Sequence, residues 1–375
     1  MKLNYKTLEK HQNLSAFLFL AILSLFLFFL TWQCWVDPNG DGGFNLYTFW
    51  QIAEGKILYR DLFYFHGPLA PLLYGLLFKI FGISILNIAI FNLLLTWASS
   101  CTIFLIFKKL SESITAIIMG GYFLCVFAIA KKSFILEHNF IFPYKPEIPL
   151  GALLVLAGIW TLALWLEHKT IIKILFLGII MGCGLLLSVE TLIATSASII
   201  APLFLLFTQK PLENKKFIAP FLVGFIIPIL LCFTYFIFYF EWRNALFNTF
   251  ASILQPLNAK NSSWIFIYTD LAGLNNPLKN FTSLLLNTGL VLFGAVVLYA
   301  LSQSIYKKYW ILLQFFIAGA ILVPIFLFSP LAHPYSMDVI WWANYPKIFP
   351  LCSCIFAFCT TRNLLLERKK WSIYK

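Results

Sequence analysis

The sequence predicts an all-α polytopic membrane protein, and three observations carry that prediction. The first is composition. The 375 residues are 61% hydrophobic and only 11% charged, whereas a soluble domain is about half apolar and about a quarter charged. So few polar residues cannot clothe a water-facing surface, which excludes a soluble enzyme, a disordered chain and a secreted disulfide scaffold. The second is the length of the apolar runs, which recur along the whole chain and approach the roughly 20 residues that cross a bilayer as helix. The third is the placement of lysine and arginine between those runs, which follows the loops of a membrane protein.

Taken in order, the apolar runs predict about ten spans, at 14–32, 83–107, 114–130, 148–166, 171–187, 192–207, 217–240, 281–301, 310–328 and 348–361. The first follows Lys2, Lys6 and Lys10, as a signal peptide would. It ends in Thr31-Trp32-Gln33-Cys34-Trp35 without a small-residue cleavage site, so it reads as a retained anchor. A single helix over 171–207 would be about 55 Å long at 1.5 Å per residue, too long for one crossing, so a turn is expected near Glu190. An even number of spans puts both termini on one side. With that side cytoplasmic, 17 of the 27 basic residues fall in short inner loops, the positive-inside bias. All five aspartates, together with Glu54, Glu137, Glu147, Glu190 and Glu241, then fall outside. Acid–base or metal chemistry belongs on that outer face.

Segment 68–81 is the exception. As helix it would reach about 21 Å, short of a hydrocarbon core about 30 Å thick. It starts with prolines and stops at Gly82, the expected asymmetry of helix ends, and reads as an interfacial helix on the outer surface. The first outer loop therefore runs over 33–82. The net charge of +12 is dispersed among the spans and is explained by loop positioning and anionic lipid rather than nucleic acid. The eight cysteines form no C-x-x-C pair, which removes the usual zinc and redox spacings.

Within the first loop, Asp41 occupies an N-cap position before an aromatic-rich helix ending near Gly55, and Asp61 and His66 follow a second turn. Chemistry alone reads this as a surface loop with capped helices. The wording is more particular. Asp41-Gly-Gly-Phe-Asn-Leu-Tyr47, Ala53-Glu-Gly-Lys-Ile-Leu-Tyr-Arg-Asp61, His66-Gly-Pro-Leu69 and Lys79-Ile-Phe-Gly82 resemble the first outer loop of the GT-C glycosyltransferases. The nearest are the protein O-mannosyltransferase and lipid A aminoarabinose transferase type. The resemblance is strong over 41–82, weaker to about 207 and mainly hydropathy beyond. It implies a catalytic transmembrane module over 1–210 and a C-terminal helical part over 211–375. It also implies residence in the bacterial cytoplasmic (inner) membrane with both termini cytoplasmic. The implied reaction moves a sugar from a polyprenyl-phosphate donor to a lipid, glycan or protein acceptor on the non-cytoplasmic face.

By that resemblance Asp41 takes the place of the first-loop catalytic carboxylate. Glu147, in Lys145-Pro-Glu-Ile-Pro149, takes that of a second acidic residue where the fourth span begins; by itself it reads as a first-turn glutamate favoured by the helix dipole. Asp61 is a third candidate acid. Arg60, His66, Lys131, Lys132, His138 and Lys145 are the outer-face cations available to a phosphate. Ala89 and Glu190 depart from the pattern, since relatives often carry basic residues there, and imply a different donor arrangement or a chain that binds without turnover. The rival function is accordingly a non-catalytic membrane protein, either a lipid-glycan transporter or a degenerate transferase. Magnesium or manganese held by Asp41 and Glu147 would neutralise a sugar phosphate, although some relatives need no metal. Asp37-x-Asn-x-Asp41-Gly42 opens like a calcium loop, but Thr48 stands where the bidentate glutamate is required. The aromatic pair Trp341 and Trp342 reads as an interfacial anchor.

Overall fold

The structure is a computed structural model of the chain and describes residues 5–32, 41–110, 112–129, 139–143, 145–209, 215–258 and 278. Among these every named element is a helix, and the nearest approach to a sheet is one isolated bridge between Leu58 and Leu62. In chain order the elements are α1 (Tyr5–Leu30), α2 (Asp41–Ala53), α3 (Leu69–Phe81), α4 (Ile85–Leu110), α5 (Ser113–Tyr122) with a π turn over Phe123–Ala128, and α6 (Glu147–Glu167). They continue with α7 (Ile171–Leu187), α8 (Val189–Gln209), a 3-10 turn at Lys215–Phe217, α9 (Ile218–Ile237), α10 (Trp242–Thr249) and α11 (Ala251–Asn258).

Among the described residues four helices are long and apolar enough to cross a membrane: Gln12–Leu30, Ile85–Leu110, Glu147–Glu167 and Lys215–Ile237. The other three expected spans in the described region are shorter apolar helices, and those expected at 281–301, 310–328 and 348–361 lie outside the described residues. Exposed faces on α1 (Leu18, Ile22, Phe29) and α9 (Leu222, Leu230) are what helices bounded by lipid require. The break expected near Glu190 falls two residues earlier, at Ser188. Its backbone is extended, and its hydroxyl accepts the N–H of Thr191 at 3.2 Å, starting α8 as a cap.

Side-chain contacts sort the helix ends into two groups. At one end Lys108 donates to Asn13 at 2.5 Å, Lys109 pairs with Glu167, and Lys173 donates to the Leu164 carbonyl at 2.8 Å. At the other end lie α2, α3 and the loop between them; it is called here the loop end. Two apolar cores link the ends. One gathers α1–α5 around Leu20, Phe49, Tyr74 and Phe104. The second gathers α6–α9 around Trp165, Leu177 and Phe217. Helices α7 and α9 touch backbone to backbone: a Cβ on Gly178 would sit 2.1 Å from the Phe221 carbonyl oxygen, and one on Gly224 2.0 Å from that of Leu175. Close small-residue contact of this kind replaces the hydrophobic drive that is missing between helices in lipid.

Candidate functional site

Helix α7 ends with carbonyls that have no donor inside the helix, and neighbouring segments supply donors. The Gly67 N–H donates to the Leu187 oxygen at 2.9 Å, and the Ser252 hydroxyl to the Leu185 oxygen at 2.6 Å. Position 67 has to be glycine, because a Cβ would lie 2.1 Å from the Leu186 oxygen. This docking holds the first loop against the end of α7 and fixes what lies just upstream of it.

Three residues upstream is Tyr64, 1% exposed. Its phenol donates to Oε1 of Glu147 at 2.6 Å, and its ring stacks on Phe44 with centroids 6.3 Å apart. The edge of His66 meets the same ring at 6.0 Å. Glu147 is the first residue of α6, where the helix dipole favours a carboxylate, and it is 2% exposed. Its second oxygen, Oε2, is buried without a hydrogen-bond partner. Such an atom is costly to bury, and a buried polar atom without a partner is uncommon.

The surrounding polar groups are arranged to hold this carboxylate rather than to compete for it. Burial first, and then the Glu147 charge, push the Tyr64 phenol well above the usual tyrosine value. Burial, with Cys232 and Glu147 adding to it, does the same to Tyr59. Both remain neutral donors at physiological pH. Tyr59 donates to the His66 carbonyl at 2.6 Å and takes a left-handed backbone, φ 66°, a strain of about 1–3 kcal/mol for a residue with a side chain. The Tyr74 hydroxyl donates to Oδ1 of Asn92 at 2.5 Å, and the Asn92 amide donates to the Ile141 carbonyl at 3.0 Å. These bonds tie α3, α4 and the segment leading to Glu147 together.

The other expected site residues are placed as follows. Asp41 is the first residue of α2 rather than the residue before it, and its side chain lies outside the described set. It stands three positions before Phe44, whose ring covers Tyr64, so the backbone brings the start of α2 towards Glu147. Asp61 and Arg60 satisfy one another, with Nε and Nη2 both 3.1 Å from the carboxylate oxygens. Asp61 also accepts the Ile57 N–H at 2.8 Å. Arg60 and that N–H hold its carboxyl below the usual range. Lys145 pairs with Glu190 at 3.1 Å. The two departures thus have physical accounts: Glu190 engages a candidate phosphate cation, and Ala89 is fully buried in the core of α1–α5, where a long basic chain has no room. His138, Lys131 and Lys132 lie outside the described residues. Among the described residues no three His, Cys, Asp or Glu gather into a group able to hold a metal ion.

Sequence reasoning missed Tyr64, Tyr59, Tyr74 and Asn92. Asn92 did carry a signal, since an amide within an apolar span is expensive there unless partnered. The tyrosines carried none, because aromatic residues are the commonplace of this sequence. No family model, curated protein or solved structure matches the chain.

Proposed function

We propose that the protein is a membrane glycosyltransferase that takes a sugar from a polyprenyl-phosphate donor and delivers it to a hydroxyl of a lipid, glycan or protein on the non-cytoplasmic face. One observation supports this reading above the rest. Glu147 is a buried carboxylate at the end of the bundle that carries the motif-bearing loop, held through one oxygen by that loop's Tyr64 and open at the other. In the reaction the bond between the anomeric carbon and the phosphate oxygen breaks and its electrons leave with polyprenyl phosphate. The acceptor oxygen bonds to the anomeric carbon, and its proton passes to a carboxylate. The leaving group is already a stable anion, so it needs no general acid, unlike that of a glycoside hydrolase. The resemblance assigns the base to Asp41 and a second acidic position to Glu147, and in this reading Glu147 orients the acceptor; a positioned base contributes about 10²- to 10⁴-fold.

A second reading, a degenerate transferase that binds donor without turning it over, is favoured by the loop-end charges. Arg60 is engaged by Asp61 and Lys145 by Glu190, which leaves less free positive charge for a phosphate than a transferase site wants. Purified protein given a panel of polyprenyl-phosphate sugars separates the two. Consumption of one sugar, abolished in Asp41→Asn, supports the transferase. Saturable binding of polyprenyl phosphate with no consumption supports the degenerate form, and no binding at all removes both.

A further inference from the structure

Helices α7 and α9 start side by side. The close contacts between them advance together along both, Gly178 meeting Phe221 and Phe225, and Gly182 meeting Phe225 and Pro228. The two therefore run parallel from the end of the bundle opposite the first loop. Each start leaves backbone N–H groups without intrahelical acceptors and carries the positive end of the helix dipole. Several other helices of the chain answer such a start with an acid. Glu112 precedes α5, Glu147 opens α6, Glu190 lies in the first turn of α8 and Glu241 precedes α10. Helices α7 and α9 have no acid in the first turn, and Thr170, just before α7, makes no side-chain cap hydrogen bond. Lysines stand there instead. Lys169 precedes Thr170, and Lys215 and Lys216 lie in the turn into α9; all three are exposed.

Loop positioning accounts for lysines at this end, but not for what they cover. Trp165 is fully buried there, and its indole N–H has no partner. Its ring meets that of Phe217 edge to face, with centroids 5.2 Å apart. Lys169 Nζ lies 5.4 Å over the Trp165 ring, and Lys216 Nζ lies 5.2 Å over the Phe217 ring. The aromatic pair thus bridges the two helix starts and carries an ammonium group over each ring. An orphaned donor at full burial is uncommon, and around this one stand more donors: two helix starts and two ammonium groups. The nearest acid along the chain, Glu167, is already taken by Lys109. A group with several negative oxygens would answer all of these donors together, since cationic groups at a helix N-terminus are otherwise unfavourable.

The surroundings say which anion. Ile171 and Ile172 at the start of α7, and Ile218 and Leu222 at the start of α9, are exposed. Helix α9 with its lysine turn is one of the helices long and apolar enough to cross a membrane. A soluble phosphate has no use for such a collar, whereas acyl chains do. We propose that the paired starts of α7 and α9 bind the phosphate of an anionic phospholipid, with its acyl chains against the apolar collar. The sequence places this basic end in the cytoplasm, the side on which basic pockets between spans take anionic headgroups. The site is separate from the loop end, and its occupancy does not depend on the transferase reading.

The test titrates the full-length protein in detergent with phosphatidylglycerol, phosphatidylcholine or glycerol phosphate and counts bound molecules by native mass spectrometry. Phosphatidylglycerol should bind saturably and at least about tenfold more tightly than phosphatidylcholine, and glycerol phosphate at equal concentration should not displace it. Lys169→Gln, Lys215→Gln and Lys216→Gln combined should weaken phosphatidylglycerol at least about tenfold. Lys56→Gln, which removes an exposed lysine at the loop end, should leave it within about twofold. Thr170→Asp supplies a carboxylate of the chain's own at the start of α7. It should raise the thermal stability of the lipid-free protein and weaken phosphatidylglycerol about threefold to tenfold. Equal affinity for phosphatidylcholine makes the occupant bulk lipid and overturns the proposal, as does an equal loss in Lys56→Gln. Displacement by glycerol phosphate makes the site one for a soluble anion and overturns the lipid. Undiminished binding in the triple variant or in Thr170→Asp, each eluting as the parent does, puts the headgroup elsewhere and overturns it too.

Discussion

Asp61 and Glu147 lie at the same end of the bundle, and the chain treats the two carboxylates in opposite ways. Asp61 is solvated and fully answered: it has a neighbouring guanidinium and a backbone N–H, and its work is to close the turn between α2 and Tyr64. Glu147 is out of water, holds one phenol, and has one oxygen with no partner. A satisfied exposed acid stabilises little beyond its own turn. A half-satisfied buried one costs stability. Of two residues equally plausible by type and side, one is fully partnered and the other keeps a buried oxygen without a partner.

That contrast is open to test, beginning with the largest effect. Glu147→Gln keeps the shape but removes the charge, and sugar transfer should fall about 10²-fold through lost positioning of the acceptor while the protein still extracts and elutes as a single species. Transfer at near-normal rate would reduce Glu147 to a helix-start residue. Tyr64→Phe should be the next largest. It leaves a buried carboxylate with both oxygens unpaired, worth about 1–3 kcal/mol, and should lower kcat more than it raises KM. A loss of thermal stability in Tyr64→Phe with its kcat untouched would make the hydrogen bond purely structural.

Gly67→Ala tests how the first loop is held. The new Cβ meets backbone at 2.1 Å, so the loop must lift from α7 at a cost of about 1–3 kcal/mol. Faster hydrogen exchange at 57–67 should report it, and unchanged exchange would show that the loop is anchored elsewhere. Glu190→Gln should act mildly and in the opposite sense. Freed from an exposed pair worth about 0–1 kcal/mol, Lys145 should bind polyprenyl phosphate up to about fivefold more tightly. Weaker binding would mean that Glu190 supports the site.

The smallest effect belongs to Asp61→Asn, which should leave transfer within a few-fold of the parent. Its pH dependence has a definite sign. The folded carboxyl is held below its unfolded value of about 3.9, so its contribution is complete above that value and fades as pH falls through the lower folded one. Exchange protection of the Ile57 amide should follow the same course on acidification, and protection that is lost already near neutral pH would break the assignment.

Much of this was legible without coordinates, and the reasons differ by residue. The helix over 171–187 was placed at its true ends because an apolar run interrupted only by Lys173 is bounded by Thr170 and Ser188. The short helix over 69–81 was legible from its prolines and from Gly82, which takes φ 90° to end it. Glu147 at the start of α6 followed from Pro146. The break before α8 was misplaced by two residues because Glu190 looked like the turn, whereas Ser188, able to cap a helix with its own hydroxyl, makes it.

What the sequence determined alone is the class of structure: apolar helices, several of membrane length. Composition and run length are sums over neighbours in the chain, and a bilayer admits few ways to satisfy the backbone of such runs. Tertiary structure alone decided which polar atoms are answered. Tyr64 and Glu147 lie 83 positions apart, and Lys145 and Glu190 lie 45 apart. Neither distance in sequence predicts a hydrogen bond. Whether a carboxylate is fully partnered or keeps an oxygen without a partner depends on the water and donors around it, and those are fixed only when the first loop closes over the ends of α6 and α7.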